Sequence, residues 1–413
     1  MVKTLLKKII FWPTSPFINH LIGELIFRFK GRRQAARNID LSQVKQLLVI
    51  RLDQIGDLVM TTPFLRELRR NVPDAWITLV VLPTVFNLVE NCPYVNEVLA
   101  CDWTGDRDLY RFHRHWRAFK FARKYFQHKQ FDLAILPRRD TDQAHGAFLA
   151  YFSGAPVRVG YSDISFGQKL SYFRNTDCLL THVIKDHNSK HEVEYNLDVI
   201  RFIGGKVESE KLEIWRNTSD EFFAEHLLRA NKVRHHELLI GFAIGASHPR
   251  KMWPLINFIE IGKWLKRKYN ARIVLMGGSN ERLLGNKIEL ELGITIINSV
   301  GQTTLRQTGG ILKHCQLYVG NDTGAMHLAA ALSIPVVEIC CHSMKCSLNH
   351  SGSSTRFGPW GISHQILQPK KAIPPCSDVC MAQEAHCICD VTVEQVKEAI
   401  AYLLSNQSRS NVH

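Results

Sequence analysis

The sequence lacks the features of membrane-spanning, repetitive and disulfide-rich proteins. None of its apolar runs approaches the ~20 residues that a helix needs to cross a bilayer, and it has no short-period repeat or low-complexity tract. The apolar stretch at residues 5–12 is broken by Lys7 and Lys8 and lacks a small-residue cleavage site, so we expect no signal peptide. Eleven cysteines in 413 residues do not make a small disulfide scaffold, and we predict a reducing, cytoplasmic compartment.

Length, composition and net charge narrow the class of protein and the kind of partner that the chain can have. With 45% hydrophobic and 22% charged residues the chain has a globular composition, and its 413 residues predict two domains with sizeable cores. The formal net charge of +14 favours an acidic partner, which could be nucleic acid, an anionic membrane surface or a phosphorylated small molecule. Because the sequence contains no recognisable nucleic-acid-binding motif, we predict no nucleic-acid partner.

Residues 1–45 form a separate basic segment. Ser15 and Pro16 suit a helix start, and apolar residues then recur at helical spacing up to Gly31. Lysines and arginines surround the apolar side of this predicted amphipathic helix, as in helices that lie on an anionic membrane. Packing of the helix on the next domain is the alternative, and liposome binding of a chain without residues 1–40 would distinguish the two.

Short apolar runs alternate with helical patterns from residue 46 onward, which predicts parallel sheets covered on both faces. The predicted strands lie at residues 46–52, 77–82, 96–101, 131–137, 237–245, 271–278, 294–300, 315–322 and 334–341. We therefore predict an α/β fold of two Rossmann-like, doubly wound domains at residues 46–230 and 231–391, followed by a C-terminal helix and tail at residues 392–413. A helix is also expected at residues 191–204.

Ligands of such sheets bind beyond the carboxyl ends of the strands, and the strongest motif at such an end is YVGNDTGAMHLAAAL at residues 318–332. The first amides of the predicted helix have no helical partner and suit a pyrophosphate. Gly324 allows close approach, Thr323 adds a hydroxyl, and His327 follows one turn later. Asp322 is expected to be the N-cap. An ordinary capped helix is the alternative reading of this motif alone.

Two further strand ends in the second half carry polar residues. In AIGASHPRKMWP, Ser247 offers a hydroxyl and Lys251 a positive charge for a phosphate. In LMGGSNERL, Glu281 could accept the hydroxyls of a ribose or only complement a helix N-terminus. The Gly-x-Gly-x-x-Gly pattern of nicotinamide sites does not occur there, so we predict no standard nicotinamide site.

The end of the first predicted strand, RLDQIGDLVMTTP at residues 51–63, carries two acids. Two acids would repel phosphate, but a carboxylate near a bound hydroxyl can act as a general base. We predict Asp57 as this base and Asp53 as a residue that caps the turn or orients the acceptor. The following helix could begin at Asp57 and kink at Pro63, or begin later with Thr62 as its cap. Facing the anion-binding turns of the second half across a cleft, these acids would complete a transferase site.

These segments, together with RFGPWG and CSDVCMAQEAHCICDVTVEQVKEAI near the C-terminus, resemble glycosyltransferase family 9, the lipopolysaccharide heptosyltransferases. The resemblance covers residues 46–405. It implies a GT-B fold in which the first domain binds the acceptor and the second binds ADP-heptose. It further implies inverting transfer of heptose to the inner core of lipopolysaccharide, by a protein peripheral on the cytoplasmic face of the inner membrane.

The resemblance also implies roles for individual residues. Asp57 matches the family's catalytic aspartate, which takes the proton of the acceptor hydroxyl as ADP departs from the opposite side of the sugar. The donor-binding positions are Ser247, Lys251, Glu281, Asp322, Thr323, Gly324 and His327. Lys251 and backbone amides would stabilise the leaving pyrophosphate, so no cofactor is required.

Positive charge at the end of a first-half strand suggests the acceptor site. Arg138 and Arg139 follow the predicted strand at residues 131–137, and we expect them, together with Asp53, to contact the anionic inner-core acceptor. Two other functions stay open: transfer that uses another nucleotide-sugar or acceptor, and membrane-associated binding of a nucleotide-sugar without turnover.

The C-terminal cysteines raise the question of a metal. The C-x3-C-x6-C-x-C spacing of Cys376, Cys380, Cys387 and Cys389 could hold a metal, but it is not the paired spacing of a zinc knuckle. We therefore predict no metal, and metal analysis of the purified protein would decide.

Overall fold

The structure is a computed structural model that describes residues 39–102, 114–139, 146–162, 176–234, 236–348, 350 and 352–410. The predicted N-terminal amphipathic helix lies outside these residues, so its contact with a membrane stays a prediction. Among the helices that the structure describes, none combines the length and the apolar character needed to cross a bilayer.

The first half of the chain forms a parallel six-stranded sheet. Its strands are β1 (Gln46–Arg51), β2 (Trp76–Val81), β3 (Glu97–Ala100), β4 (Leu133–Leu136), β5 (Val157–Tyr161) and β6 (His182–Ile184). Their order is β3-β2-β1-β4-β5-β6, so the winding direction reverses between β1 and β4. The central strands are continuous apolar runs because helices bury both of their faces. The reversal opens a crevice at the carboxyl end of β1.

The second half repeats this topology. Its strands are β7 (Leu239–Ala243), β8 (Arg272–Met276), β9 (Ile297–Asn298), β10 (Leu317–Asn321), β11 (Val336–Ile339) and β12 (His364–Leu367). Their order is β12-β11-β10-β7-β8-β9, and the reversal lies between β7 and β10. The loops after these two strands are the predicted ligand-binding turns. Two doubly wound parallel sheets confirm the predicted α/β class.

Helices cover both sheets. The described α-helices are α1 (Ile55–Met60), α2 (Thr62–Asn71), α3 (Pro83–Val89), α4 (Arg114–Tyr125), α5 (Gly146–Phe152), α6 (Glu192–Phe202), α7 (Thr218–Ala230), α8 (Leu255–Tyr269), α9 (Arg282–Leu292), α10 (Leu305–Leu312), α11 (Gly324–Ala331), α12 (Ser354–Phe357) and α13 (Val393–Ser410). The C-terminal helix α13 buries Val396, Ile400 and Leu403 in the core of the second sheet. The domain limits at residues 230 and 391 remain predictions.

The structure after β1 shows where the helix that follows this strand begins. The helix α1 begins at Ile55, two residues before Asp57, with Gln54 as its N-cap, and it ends at Met60 with Thr61 as its C-cap. A second helix, α2, starts at once and carries Pro63 in its first turn, where the missing N–H costs no hydrogen bond. A helix therefore begins within one or two residues of each of the two predicted starts. The segment forms two successive helices and not one kinked helix.

Helices α1 and α11 bring the two halves into contact. A β-carbon added to Gly324, the first residue of α11, would lie 2.6 Å from Ile55 Cβ in α1. Glycine at this position therefore permits the close approach. On another side of the contact, Arg306 of α10 pairs with Asp220 of α7, with Nε 2.7 Å from Oδ2, and with Glu90 next to α3. The carboxyl ends of both sheets consequently face one cleft.

Candidate functional site

The cleft between the two sheets has a volume of about 560 Å³. Its walls come from both halves of the chain, as expected for ligands bound at the switch points of two doubly wound sheets. The predicted site residues that line it are Asp57, Arg138, Ser247, Lys251, Glu281, Asp322, Thr323, Gly324 and His327. The fold thus brings together, in one place, residues that are spread over 270 positions of the sequence.

Asp57 lies in the first turn of α1 and faces the cleft. Its Oδ2 accepts a hydrogen bond from the Gln54 backbone N–H at 3.3 Å, which closes a capping box. Its other oxygen, Oδ1, lies 3.7 Å from Nη2 of the buried Arg51. The side chain remains 27% exposed. The carboxylate is therefore held in place from two sides while it stays accessible from the cleft.

A buried group of charges lies beneath Asp57. Arg51 Nη2 is 3.1 Å from Glu192 Oε1 at the start of α6, and Arg356 Nη2 of α12 is 2.7 Å from Glu192 Oε2. Although burial raises the pKa of the Glu192 carboxyl, the two guanidinium groups hold it below its ordinary value. Glu192 therefore stays ionised and joins the floor of the first sheet to a helix of the second half.

Asp53 belongs to the same buried group. It is 4% exposed, and its carboxylate pairs with Arg51 at 3.1 Å and with Arg138. Because Gln54 is the N-cap of α1, the predicted capping role of Asp53 is wrong. Asp53 is not among the residues that line the cleft, although its partner Arg138 is, and its contact with the acceptor stays a prediction.

Lys251 and Asp322 form an ion pair across the second-half strand ends. Lys251 Nζ lies 2.7 Å from Asp322 Oδ2, and their side chains are 19% and 17% exposed. Burial opposes both charges, but each group keeps the other ionised: Asp322 raises the pKa of Lys251, and Lys251 lowers the pKa of Asp322. The N-cap of α11 is Thr323, so the prediction of Asp322 as N-cap is wrong.

The start of α11 points a set of backbone donors at the cleft. The first amides of a helix have no intrahelical acceptor, and the helix dipole adds partial positive charge there. Thr323 and Gly324 line the cleft at this end, and the Thr323 hydroxyl lies 3.3 Å from the hydroxyl of Tyr318. Together with Lys251 Nζ, this end of α11 can hold an anion such as a pyrophosphate.

Glu281 lies over two glycines of the second-half strand ends. Its Oε2 accepts a hydrogen bond from the Gly278 N–H at 2.9 Å, and β-carbons at Gly245 or Gly277 would overlap its carboxylate. Burial raises the pKa of the Glu281 carboxyl above its ordinary value. Glu281 and Ser247 both line the cleft, and a carboxylate and a hydroxyl can bind hydroxyl groups of a ligand.

His327 packs between the two halves. A β-carbon on Gly56 would lie 2.5 Å from His327 Cδ2, so glycine before Asp57 makes room for the ring. The ring is 4% exposed, and burial lowers its pKa to about 4, partly opposed by Asp322. His327 is therefore neutral near pH 7, and it cannot supply a positive charge to an anionic ligand there.

This neutral histidine gives a pH-dependent stability. Because the unfolded chain binds a proton near pH 6.5 that the folded protein excludes until about pH 4, the contribution of His327 is complete above pH 6.5. It is lost as the pH falls toward 4. Relative to the non-titrating variant His327→Gln, the wild-type free energy of unfolding should fall by about 2 kcal/mol more between about pH 7 and 5. Urea titrations at both pH values measure this difference, and equal declines in the two proteins would contradict it.

Of the two arginines predicted to contact the acceptor, Arg138 and Arg139, one lines the cleft and the other is buried. Arg138 lines the cleft beside Asp57, whereas Arg139 is 1% exposed, with its guanidinium carbon 4.2 Å from the ring centre of Tyr195. Arg139 thus packs into the first half beneath the cleft, and its contact with an acceptor stays a prediction.

The C-terminal cysteines are only partly brought together. Cys376, Cys380 and Cys387 lie in one cluster, which also contains His386, while Cys389 is exposed. His386 was missed, although it directly precedes Cys387 in the sequence. The prediction of no metal rested on the spacing of four cysteines, whereas the cluster that the structure shows contains His386 in place of Cys389.

Sequence reasoning also missed the charged group beneath Asp57. Arg51 ends an apolar strand, which is itself an unusual place for a buried charge. Its partner Glu192 lies 141 positions further along the chain, and Arg356, which also pairs with Glu192, lies 164 positions beyond that. No local pattern connects such distant positions.

Comparison with known proteins supplies the family. The sequence model of glycosyltransferase family 9 (heptosyltransferase) matches residues 119–369, which is more than half of the chain. Lipopolysaccharide heptosyltransferase 2 of Salmonella typhimurium is 23% identical over 387 residues, which cover 88% of this chain and 99% of that protein.

Solved structures of the same kind share the fold. The glycosyltransferase family 9 protein of Veillonella parvula has a TM-score of 0.70 at 21% identity and covers 90% of this chain and 99% of its own. The ADP-heptose lipopolysaccharide heptosyltransferase II of E. coli has a TM-score of 0.64 at 21% identity, over 88% and 99% of the two chains. These likenesses confirm the predicted GT-B type of fold, with two Rossmann-like halves. The chain belongs to glycosyltransferase family 9 and is a glycosyltransferase.

Proposed function

We propose that this glycosyltransferase moves a heptose from ADP-heptose to the inner core of lipopolysaccharide, with inversion at the anomeric carbon. The observation that carries the proposal is the cleft itself, where Asp57 from the first half faces Lys251 and the start of α11 from the second. The heptosyltransferase names of the similar proteins support the choice of donor and acceptor.

The second half is assigned to the donor. Lys251 and the first amides of α11 suit the pyrophosphate because they combine a charged ammonium with outward-pointing N–H groups. Glu281 and Ser247 suit hydroxyl groups of the nucleoside or the sugar, since a carboxylate accepts hydrogen bonds and a serine can also donate one. These contacts support the proposal that residues 231–391 form the donor-binding domain.

The first half is assigned to the acceptor. Asp57 lies at its cleft edge, and Arg138 adds a guanidinium that can pair with a phosphate or carboxylate of the inner core. Asp53 holds Arg138 in place through their ion pair. An anionic acceptor is also consistent with the net charge of +14.

The reaction follows from these two assignments. Asp57 accepts the proton of an acceptor hydroxyl as its oxygen bonds to the anomeric carbon, and the bond from that carbon to the ADP oxygen breaks on the opposite face. The negative charge that grows on the leaving pyrophosphate is met by Lys251 and the α11 amides, which are already in position before the reaction. One displacement with one base inverts the configuration and needs no second acid to protonate ADP.

The proposal is tested with the full-length protein and a panel of donors. ADP-heptose, ADP-glucose, UDP-glucose and GDP-mannose are each incubated with a deacylated inner-core acceptor, and the product is identified by mass and by NMR of the new linkage. We expect one added heptose with inverted configuration, from ADP-heptose only. Transfer of a different sugar would overturn the donor assignment, a retained configuration would overturn the mechanism, and dependence on added Mg²⁺ would contradict metal-free leaving-group stabilisation.

A further inference from the structure

A cluster of sulfur and nitrogen atoms lies outside the catalytic cleft, in the segment between β12 and α13. The Sγ atoms of Cys376, Cys380 and Cys387 and a ring nitrogen of His386 all lie within 4.8 Å of one another. Every cysteine of the chain carries a free thiol, so none of these sulfurs is used in a disulfide. All four residues belong to the twelve-residue stretch 376–387, which is mostly loop, and their ligand atoms lie close to one another.

The spacing of the atoms is that of a tetrahedral metal site. With Zn–S bonds of about 2.3 Å and Zn–N bonds of about 2.0 Å, ligand atoms at the corners of a tetrahedron lie about 3.5–3.8 Å apart. His386 Nδ1 is 3.8 Å from Cys376 Sγ and 3.4 Å from Cys387 Sγ. No two of the four ligand atoms are more than 4.8 Å apart, so the cluster needs to close by at most about 1 Å.

Backbone amides point at two of the sulfurs. The Met381 N–H donates to Cys376 Sγ and the Ile373 N–H donates to Cys387 Sγ, each at 3.4 Å. A neutral thiol is a weak acceptor, whereas a thiolate accepts such bonds well. Donors that surround the ligand atoms of a metal are the usual second layer of a metal site. These two amides would therefore stabilise the thiolate forms of Cys376 and Cys387 in a metal site.

The loop that carries the cluster has little regular secondary structure. In the described chain between Leu367 and Val393, the regular structure is limited to the short 3₁₀ helix Cys387–Asp390. Long loops without secondary structure are uncommon within a compact domain, and those that keep one conformation usually have a function or an additional stabilising interaction. Cys380 and Cys387 are nonetheless 1% and 0% exposed and pack into the core of the second sheet.

We propose that Cys376, Cys380, His386 and Cys387 bind one Zn²⁺ ion as a closed structural site. Three cysteines and one histidine are a common ligand set of structural zinc, and soft thiolates disfavour magnesium, calcium and manganese. With four protein ligands the ion has no open position, so it takes no part in glycosyl transfer. The site stands apart from the proposed function and does not depend on it.

The site would anchor the wall of the cleft that the second half of the chain provides. Directly after the ligands, the Val391 carbonyl accepts a hydrogen bond from Trp253 Nε1 at 2.9 Å. The Trp253 backbone N–H donates to Asn321 Oδ1 at 3.0 Å. Trp253 follows Lys251 by two residues, and Asn321 directly precedes Asp322. Zinc in the loop would therefore stabilise the segment that holds the Lys251–Asp322 pair.

Metal analysis of the full-length protein tests the proposal. The protein is purified without chelators from cells supplied with both zinc and iron, and we expect about one zinc per chain by mass spectrometry of the elements. The variant Cys387→Ser should lose this zinc, and Cys389→Ser, an exposed neighbour outside the cluster, should keep it. In case Cys387→Ser does not fold, wild-type protein stripped of metal is titrated with Co²⁺, and the absorption bands of tetrahedral thiolate-bound cobalt should appear and saturate at one equivalent.

Several results would overturn the proposal. Wild-type protein without zinc that also gives no thiolate–cobalt bands would exclude a metal site. Iron in place of zinc would reject the identity of the metal. Zinc retained by Cys387→Ser, or lost equally from Cys389→Ser, would reject the ligand set.

Discussion

The variant Asp57→Asn is expected to lose most of its transferase activity, with kcat lower by about 10²- to 10⁴-fold. Asparagine has the shape of aspartate and can still accept the Gln54 N–H, so the start of α1 should keep its conformation. It cannot, however, take a proton from the acceptor hydroxyl. Initial rates at saturating donor and acceptor give kcat, and calorimetry with ADP shows whether the donor half still binds its nucleotide.

Glu194→Gln is a matched control for this substitution. Glu194 is also the third residue of a helix, and its carboxylate accepts the His191 N–H at 3.0 Å in a capping box of the same kind. Neutralising it should leave kcat unchanged. If Asp57→Asn transfers sugar at the wild-type rate, Asp57 is not the base. If its ADP affinity falls as far as its kcat, the carboxylate serves binding and not proton transfer.

How far the fold could be predicted depends on the burial of each strand. The strands predicted at residues 46–52 and 315–322 are apolar on both faces, and the structure confirms them as β1 and β10. Among the strands that the structure describes, β5, β6 and β12 were not predicted. Two of these are sheet edges of three or four residues with only partial burial, and β5 is interrupted by the charge of Arg158. The two edge strands give weak signals because partial burial leaves no continuous apolar run, whereas β5 is buried throughout and only the charge of Arg158 interrupts its apolar pattern.

The candidate site was also only partly predictable. The positions of its residues follow from local sequence, but their pairings depend on residues far away in the chain. Polar residues that directly follow strands were predicted to meet, since the topology alone brings the carboxyl ends of parallel strands to one edge. Their mutual pairings were not predicted. Asp322 has the local pattern of an N-cap, but it pairs with Lys251, 71 positions earlier. Tertiary partners of this kind override local preferences and leave no trace in a single sequence.

The variant Lys251→Met should have the second large effect, a fall in kcat/KM for the donor of about 10²- to 10³-fold. Methionine keeps much of the length and apolar stem of lysine but removes the ammonium that would meet the charge on the leaving pyrophosphate. Initial rates at varied donor concentration measure the loss. Lys397→Met is a matched control, because Lys397 Nζ also pairs with a carboxylate, Glu260 Oε1 at 2.8 Å, but on the outer surface of the second half. Its activity should equal that of the wild type.

The partner of Lys251 makes a sharper test possible. Without the ammonium, Asp322 keeps a partly buried charge that has lost its ion pair, so Lys251→Met should also be destabilised, by about 1–3 kcal/mol. The double variant Lys251→Met/Asp322→Asn removes both charges and should regain most of that stability. It should not regain activity, because the leaving group still lacks its positive partner. Recovery of transfer together with stability would show that Lys251 only neutralises Asp322, and the pyrophosphate would then depend on the amides of α11 alone.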